Sequence, residues 1–224
     1  MITMTDVHKR YWTDRGEALW ALRGVSLTIP ARKNVAVIGV NGSGKSTLLR
    51  LIARIDTPTR GKIHCERRVS WPIGQSGGLQ GNLSGRQNTR FICRLQGFDE
   101  KGVDERVAYV HAFSELEDVF DRPVASYSKG MRGRLNFAIS MAFNFDVYLV
   151  DEQMGAGGSS GTFKEKTSNA IETLASQADL IVVSHVERVV KTFCQAAVWM
   201  NEGKAHWFDS VDDAWKEHSS GWTE

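Results

Sequence analysis

The sequence predicts an α/β fold: a mostly parallel sheet with helices, antiparallel β elements toward the N and C termini, and an inserted helical subdomain. Three observations carry that expectation. Short β-branched runs at Val35-Ala36-Val37-Ile38, Val147-Tyr148-Leu149-Val150 and Leu180-Ile181-Val182-Val183 each stop at glycine or a polar residue, as strands buried on both faces do. Between residues 84 and 145 the apolar residues recur at helical spacing. The first run passes through a glycine-rich turn directly into a helical pattern, so strand, loop and helix form one unit.

Taken in order, the helix after the glycine turn spans Lys45 to Ile55, with Leu48, Leu49, Ile52 and Ile55 at spacings of three and four before Pro58 stops the pattern. The helical stretch 84–145 carries Phe91 and Leu95, then Val103, Val107 and Val110, then Leu135, Ile139 and Phe143 at helix-like spacings. The runs at 147–150 and 180–183 are central parallel strands. Their C-terminal ends bring Asp151 and Ser184-His185 to the rim that carries the glycine loop, where open α/β sheets place ligands. Ala196 to Met200 and Ala205 to Phe208 flank Asn201-Glu202-Gly203-Lys204 as a β-hairpin, and a short helix from Val211 to Glu217 follows. The organisation expected is a single domain over 1–224, with a core of 1–83 and 146–224 and a helical subdomain at 84–145.

Composition bounds the function. A chain of 224 residues that is 42% apolar, 24% charged and 9% aromatic buries a full core and is neither disordered nor fibrous. Twenty-eight Lys and Arg against 26 Asp and Glu leave +2, which gives no electrostatic footprint for nucleic acid. Cys65, Cys93 and Cys194 are odd in number and far apart, so neither a disulfide framework nor a zinc site is suggested and a reducing compartment is expected. Asp6, His8, Lys9 and Arg10 interrupt the N-terminal stretch before a secretory signal can form. The longest apolar stretch, Leu135 to Val150, contains Asn136, Asn144 and Asp146, whereas a bilayer-spanning helix needs about 20 apolar residues. The expectation is a soluble chain able to sit on a membrane protein.

Gly39-Val40-Asn41-Gly42-Ser43-Gly44-Lys45-Ser46 fits the phosphate-binding pattern G-x-x-x-x-G-K-[ST] at every fixed position, between a strand and a helix. Glycine lets the backbone turn so that successive N–H groups form an anion nest, to which the helix N terminus adds partial positive charge. Lys45 supplies a point charge for the β- and γ-phosphates, and Ser46 a hydroxyl for Mg²⁺. Asn41, Ser43 and Thr47 complete the candidate contacts along this P-loop. Adjacent strand residues point to opposite sides, so Asp151 suits the surroundings of Mg²⁺ while Glu152 suits a base that orients the attacking water. His185, at a strand end beside this site, could bond a γ-phosphate or a water.

A second anion-binding shape lies at Ser126-Tyr127-Ser128-Lys129-Gly130-Met131-Arg132, ahead of the amphipathic helix with Leu135, Ile139 and Phe143. One chain with one nucleotide does not need two such sites. A two-fold dimer, in which each copy completes the other's phosphate site, would use both.

With Walker A at 39–46, Tyr127-Ser128-Lys129-Gly130-Met131, Walker B ending in Asp151-Glu152, and His185, the chain resembles the nucleotide-binding subunit of an ATP-binding cassette (ABC) transporter over nearly its whole length. More narrowly, Ser70-Trp71-Pro72-Ile73-Gly74, Gly77-Gly78 with Leu83-Ser84-Gly85, and Tyr127-Ser128 with Gly130-Met131 resemble the ATPases of Gram-negative capsular polysaccharide exporters. The resemblance implies that Tyr11 stacks on adenine and that Ser128 and Gly130 meet the γ-phosphate held by the other copy. It implies that Gln75, or its rival Gln80, joins the γ-phosphate and Mg²⁺ to the membrane subunit through residues 71–90, where Trp71, Pro72 and the glycines could equally form a passive surface loop. It further implies a homodimer around two ATP·Mg²⁺, a polytopic permease in two copies, periplasmic and outer-membrane capsule export components, a place on the cytoplasmic face of the inner membrane, and an acidic, lipid-linked polysaccharide as cargo.

The sequence departs from the general family pattern at Lys129, where glycine is usual, and at Tyr127, where leucine is usual. The aspartate usual near position 158 is replaced by Gly158 within Gln153-Met154-Gly155-Ala156-Gly157-Gly158. O-antigen exporter ATPases of one class carry a large C-terminal carbohydrate-binding domain, and this chain ends soon after the hairpin; teichoic-acid export and a non-transport ABC ATPase remain as alternatives.

Overall fold

The structure, a computed structural model, describes residues 1–73, 78–151 and 161–220. The long strands at the N terminus, β1 (Ile2–Trp12) and β2 (Ala18–Ile29), and, later in the chain, β4 (Arg60–Cys65) form an antiparallel sheet in the order β2-β1-β4. The second sheet contains β3 (Val35–Ile38), β5 (Val69–Ile73), β6 (Val147–Val150), β7 (Asp179–Val183), β8 (Ala196–Asn201) and β9 (Lys204–Phe208), in the order β5-β6-β7-β3-β8-β9. The strands β6, β7, β3 and β8 run parallel, and β9 returns antiparallel to β8. Every residue of β3, β6 and β7 is buried, which is why these strands read as unbroken apolar runs. Pro72 is tolerated in β5 because that strand is at the sheet edge.

Helix α1 (Lys45–Ile52) places Leu48, Leu49, Leu51 and Ile52 in one core cluster with Met4, Val7, Leu22 and Val25 of the first sheet and Val35, Val37, Leu149 and Ile181 of the second. The helix ends three residues before the expected Ile55. Arg54 turns to φ +56, the N–H groups of Ile55 and Asp56 both return to the Arg50 carbonyl, and Ile55 is left 49% exposed. The C-terminal helix α7 (Val211–Ser220) extends beyond the expected Glu217.

The chain divides into two compact units. Among the described residues, one gathers Met1–Pro72, 145–151 and 171–220, and the other gathers Ile73, 78–144 and 161–170. The second unit holds α2 (Gly85–Leu95), α3 (Glu100–Ser114), α4 (Lys129–Met141) and the start of α5 (Gly161–Gln177), while α6 (Glu187–Phe193) belongs to the first. Side-chain oxygens cap the first three: Ser84 caps α2 through a capping box with Gln87, Asp99 caps α3, and Ser128 caps α4. Val103, Val107, Val110, Leu135, Ile139 and Phe143 are buried as their spacing suggests.

Phe91 and Leu95 are not: they are 44% and 68% exposed, and α2 buries Gly85, Asn88, Thr89 and Cys93 instead. The reason is that Asn88 closes the preceding loop. Its Oδ1 accepts from the Gln80 N–H, and its Nδ2 donates to the carbonyls of Gln80, Leu83 and Ser84.

A polar network ties together the edge of the second sheet where its parallel strands begin. Asp179 accepts from the Arg32 N–H at 2.8 Å and pairs with Arg67, whose guanidinium also donates to the Asp146 carbonyl. Asn34 accepts from the Leu180 N–H, donates to the Ala175 carbonyl, and its own N–H is taken by Gln195. No helix among the described residues is long and apolar enough to cross a membrane.

Because Asp179 satisfies a largely buried guanidinium, Asp179→Ala is expected to destabilise the fold by about 3 kcal/mol, read as a lower urea midpoint at unchanged slope. All three cysteines are buried and unpaired. Burial pushes the Cys194 thiol up to about 12 and raises that of Cys93. The thiolate is the reactive form, so a thiol reagent at pH 8 is expected to label the folded chain far more slowly than the chain in urea.

Candidate functional site

Strand β3 delivers the chain to a loop with glycine at φ +148 (Gly39), +83 (Gly42) and +107 (Gly44), values that L side chains rarely adopt. Two of these positions also lack space. A β-carbon on Gly39 would lie 2.3 Å from the Met200 carbonyl oxygen at the end of β8, and one on Gly44 would lie 2.6 Å from the Ala21 carbonyl oxygen on β2. The turn between β8 and β9 adds a tether: the Gly203 N–H donates to the Ser43 carbonyl at 3.1 Å, and the Arg23 N–H of β2 donates to the Gly203 carbonyl at 2.8 Å. The loop is thus held from both sides.

What the loop offers is a set of donors. No side chain caps α1, and the N–H groups of its opening turn point out of the helix end, as donors to an anion must. The Ser43 hydroxyl oxygen is buried with no hydrogen-bond partner, an orphan of the kind that costs free energy until a ligand answers it. Lys45 folds back over the loop, its Nζ donating to the carbonyls of Gly39 at 2.7 Å and Val40 at 2.8 Å. Orphan hydroxyl, left-handed glycines and helix N terminus together fit a phosphate chain.

Neighbouring parallel strands complete this edge. The strands β6, β7 and β3 lie side by side in the same direction, so Asp151 after β6 and Ser184-His185 after β7 leave the sheet at the edge where Gly39 does. Asp151 is 7% exposed; His185 is exposed, on a turn where the Ser184 hydroxyl accepts from the Val186 N–H. The structure therefore brings Gly39, Asn41, Gly42, Ser43, Gly44, Lys45, Ser46 and Thr47 to one edge with Asp151 and His185. An aromatic at this edge was not legible in the sequence: burial first, then the Lys45 ammonium, hold His218 in the last turn of α7 below its ordinary range.

Tyr11, on β1, donates its hydroxyl to Asp56 at 2.9 Å, and the Lys9 ammonium stands 5.0 Å from its ring centre. Burial alone would raise the Asp56 carboxyl, but hydrogen bonds from Lys9, Tyr11 and the Thr57 N–H outweigh it and hold the group below its usual range. This pairing fixes the ring beside the segment that leaves α1. The remaining candidates belong to the second unit or fall elsewhere. Ser128 accepts from the Met131 N–H as the cap of α4, with Gly130 in the opening turn, and Gln80 is held through its backbone by Asn88. Gln75, Glu152 and the stretch around Gly158 lie outside the described residues.

Comparison with known proteins places these features. The family model described as ABC transporter matches residues 22–155, which contain the glycine loop, the capped start of α4 and Asp151. The polysialic acid transport ATP-binding protein KpsT of Escherichia coli is 42% identical over 215 residues, 96% of each chain. The capsule polysaccharide export ATP-binding protein CtrD of Neisseria meningitidis serogroup B is 37% identical, covering 98% of this chain and 99% of its own. In fold, the chain matches a dimeric post-hydrolysis structure of the ATP-binding cassette MJ0796 bound to ADP and Pi, with a TM-score of 0.77 at 22% identity over 94% of this chain and 99% of that one. The chain belongs to the ABC transporter family.

Proposed function

We propose that the chain is the ATP-hydrolysing motor subunit of an exporter of capsular polysaccharide, working as two copies on a polytopic permease at the cytoplasmic face of a bacterial inner membrane. The observation that carries the reading is the clamped glycine loop with its orphan Ser43 hydroxyl, at the edge that also carries Asp151 and His185. The cargo is taken from the relatives that span the chain from end to end, whose names specify transport of polysialic acid or export of capsule polysaccharide. That places the capsule reading ahead of O-antigen or teichoic-acid export, and by the same likeness the exporter works with periplasmic and outer-membrane capsule components.

In this reading the loop N–H groups, Ser43 and Lys45 hold the phosphates, with Gly39, Asn41, Gly42, Gly44 and Thr47 shaping their seat, and Tyr11 offers its ring to adenine. Lys45 exchanges two neutral carbonyls for anionic oxygens, which make the stronger, charge-assisted bond. Ser46, Asp151 and one of Gln75 and Gln80 would hold Mg²⁺, which neutralises charge across the β- and γ-phosphates. Glu152 orients the attacking water and His185 bonds the γ-phosphate or that water. Ser128 and Gly130 meet the nucleotide of the other copy. ATP then favours closure of the pair only by as much as it binds the closed state better, and hydrolysis removes that difference. Residues 71–90 pass the closure to the permease, and the outward-facing Phe91 and Leu95 on α2 give a membrane partner apolar surface to cover.

Lys45→Ala is expected to weaken nucleotide binding at least ~10-fold and to abolish export, measured by equilibrium nucleotide titration and by surface polysaccharide. Parental turnover in that variant would refute the phosphate-site assignment. Glu152→Gln should bind ATP with an affinity within about threefold of the parent, while turnover falls by on the order of 10²-fold and the pair stays closed in ATP. The direct test of the whole reading is purification from membranes in detergent. A co-purifying polytopic membrane protein that raises ATP turnover supports it; a partner-free ATPase with full turnover refutes it.

A further inference from the structure

Tyr127 stands one residue before the cap of α4 and is only 3% exposed, yet it carries a polar group into that interior. The hydroxyl has one bonded partner and one close neighbour. It donates to the Val119 carbonyl at 2.7 Å and lies directly against Gly85, the first residue of α2. A helix leaves its first N–H groups without partners inside the helix, and the phenol oxygen is set beside that end of α2. Gly85 is shaped to allow it: a β-carbon there would lie 2.8 Å from the phenol oxygen and 2.8 Å from Cδ2 of Phe120.

The two segments are fastened along their length. The Val124 N–H donates to the Leu83 carbonyl at 2.9 Å, the Ala125 N–H to the Gly81 carbonyl at 2.8 Å, and Ser84 bridges Pro123. Arg86 makes a two-pronged pair with Asp121 at 2.7 and 3.1 Å while its guanidinium covers the Phe120 ring. Residues 81–86 and 119–127 thus behave as one block. The block ends at Ser128, and Tyr127 is its last link.

We propose that the Tyr127 hydroxyl is a positioning group that joins the N terminus of α2 to the N terminus of α4, so that a displacement of α2 is delivered to Ser128. The general family pattern has leucine at this position; leucine could fill the space but could not donate to Val119. The proposal rests on the reading that Ser128 meets the nucleotide of a second copy and that a membrane partner bears on residues 71–90.

The test uses Tyr127→Phe and Tyr127→Leu in the chain purified with its membrane partner, and each in a Glu152→Gln background without it. The expected result is that partner stimulation of kcat falls on the order of 10-fold. KM for ATP, nucleotide affinity and ATP-driven pairing of the isolated Glu152→Gln chain stay at parental values, because Ser128 still caps α4 and the phosphate loop is untouched. Stimulation within twofold of the parent in both variants overturns the proposal. So does a loss of pairing and stability in step with the loss of stimulation, or a failure of both variants to fold, since each makes the hydroxyl a support of the fold alone. A Glu152→Gln parent that stays monomeric in ATP, or a parent complex without stimulation, refutes the motor reading itself and is seen before any Tyr127 variant is made.

Discussion

The candidate site depends on a close approach of backbone to backbone. The glycine loop passes between β2 and the end of β8 at distances that leave no room for a β-carbon at Gly39 or Gly44. Those contacts fix where α1 starts, and the start of α1 fixes the direction of its opening N–H groups. A loop with side chains would stand further from both strands and would aim its amides elsewhere. Preorganisation of this kind matters because donors that are already oriented need no rearrangement when an anion arrives. The same contacts explain why the β8–β9 hairpin belongs functionally with a loop more than 150 residues earlier in the chain: its turn holds the Ser43 carbonyl through Gly203.

The two edges of the parallel strands treat polar groups in opposite ways. Where the strands begin, Asp179, Arg67, Arg32 and Asn34 satisfy one another, and the network stitches β3, β6 and β7 into register. Where they end, the loop keeps a buried hydroxyl at Ser43 without a partner and a lysine on two carbonyls that anionic oxygens would outbid. Buried polar atoms are normally paired, so an orphan at one edge and closure at the other separate binding from support. Stability drawn from the first edge lets the second remain incomplete.

Much of this was legible because the relevant chemistry is local. The glycine-to-serine pattern at 39–46 demands left-handed backbone over a few residues, and the short, β-branched runs at 35–38, 147–150 and 180–183 suit strands covered on both sides. What escaped was set by hydrogen bonds that hydrophobic periodicity does not record. Ile55 keeps the helical spacing but falls outside α1, because the Arg50 carbonyl draws the chain into a turn. Phe91 and Leu95 keep it too, yet face outward, since the inner face of α2 is given to Asn88 and the loop it closes. Periodicity reports which residues share a face, and only the partners decide which face is buried. The link from Ser43 to Gly203 and the close approach of the Tyr127 hydroxyl to Gly85 join segments whose sequences carry no mark of each other.

The second unit spends its buried polar atoms differently from the first. Asn88, Ser84 and Tyr127 all serve to hold residues 80–85 and 119–127 against the helices, and the element so fixed is the start of α4. That start is electrostatically unbalanced. Lys129 and Arg132 stand in its opening turn, which holds no acidic residue of its own, against the positive end of the helix dipole. Charges placed that way cost roughly 0.3–1 kcal/mol each, and an anion at the helix end reverses the sign. A helix held in this way, with excess positive charge at its tip, favours an anion there. On the proposed reading, that anion is the phosphate chain bound by a second copy, so that the ligand of one copy would complete the helix end of the other.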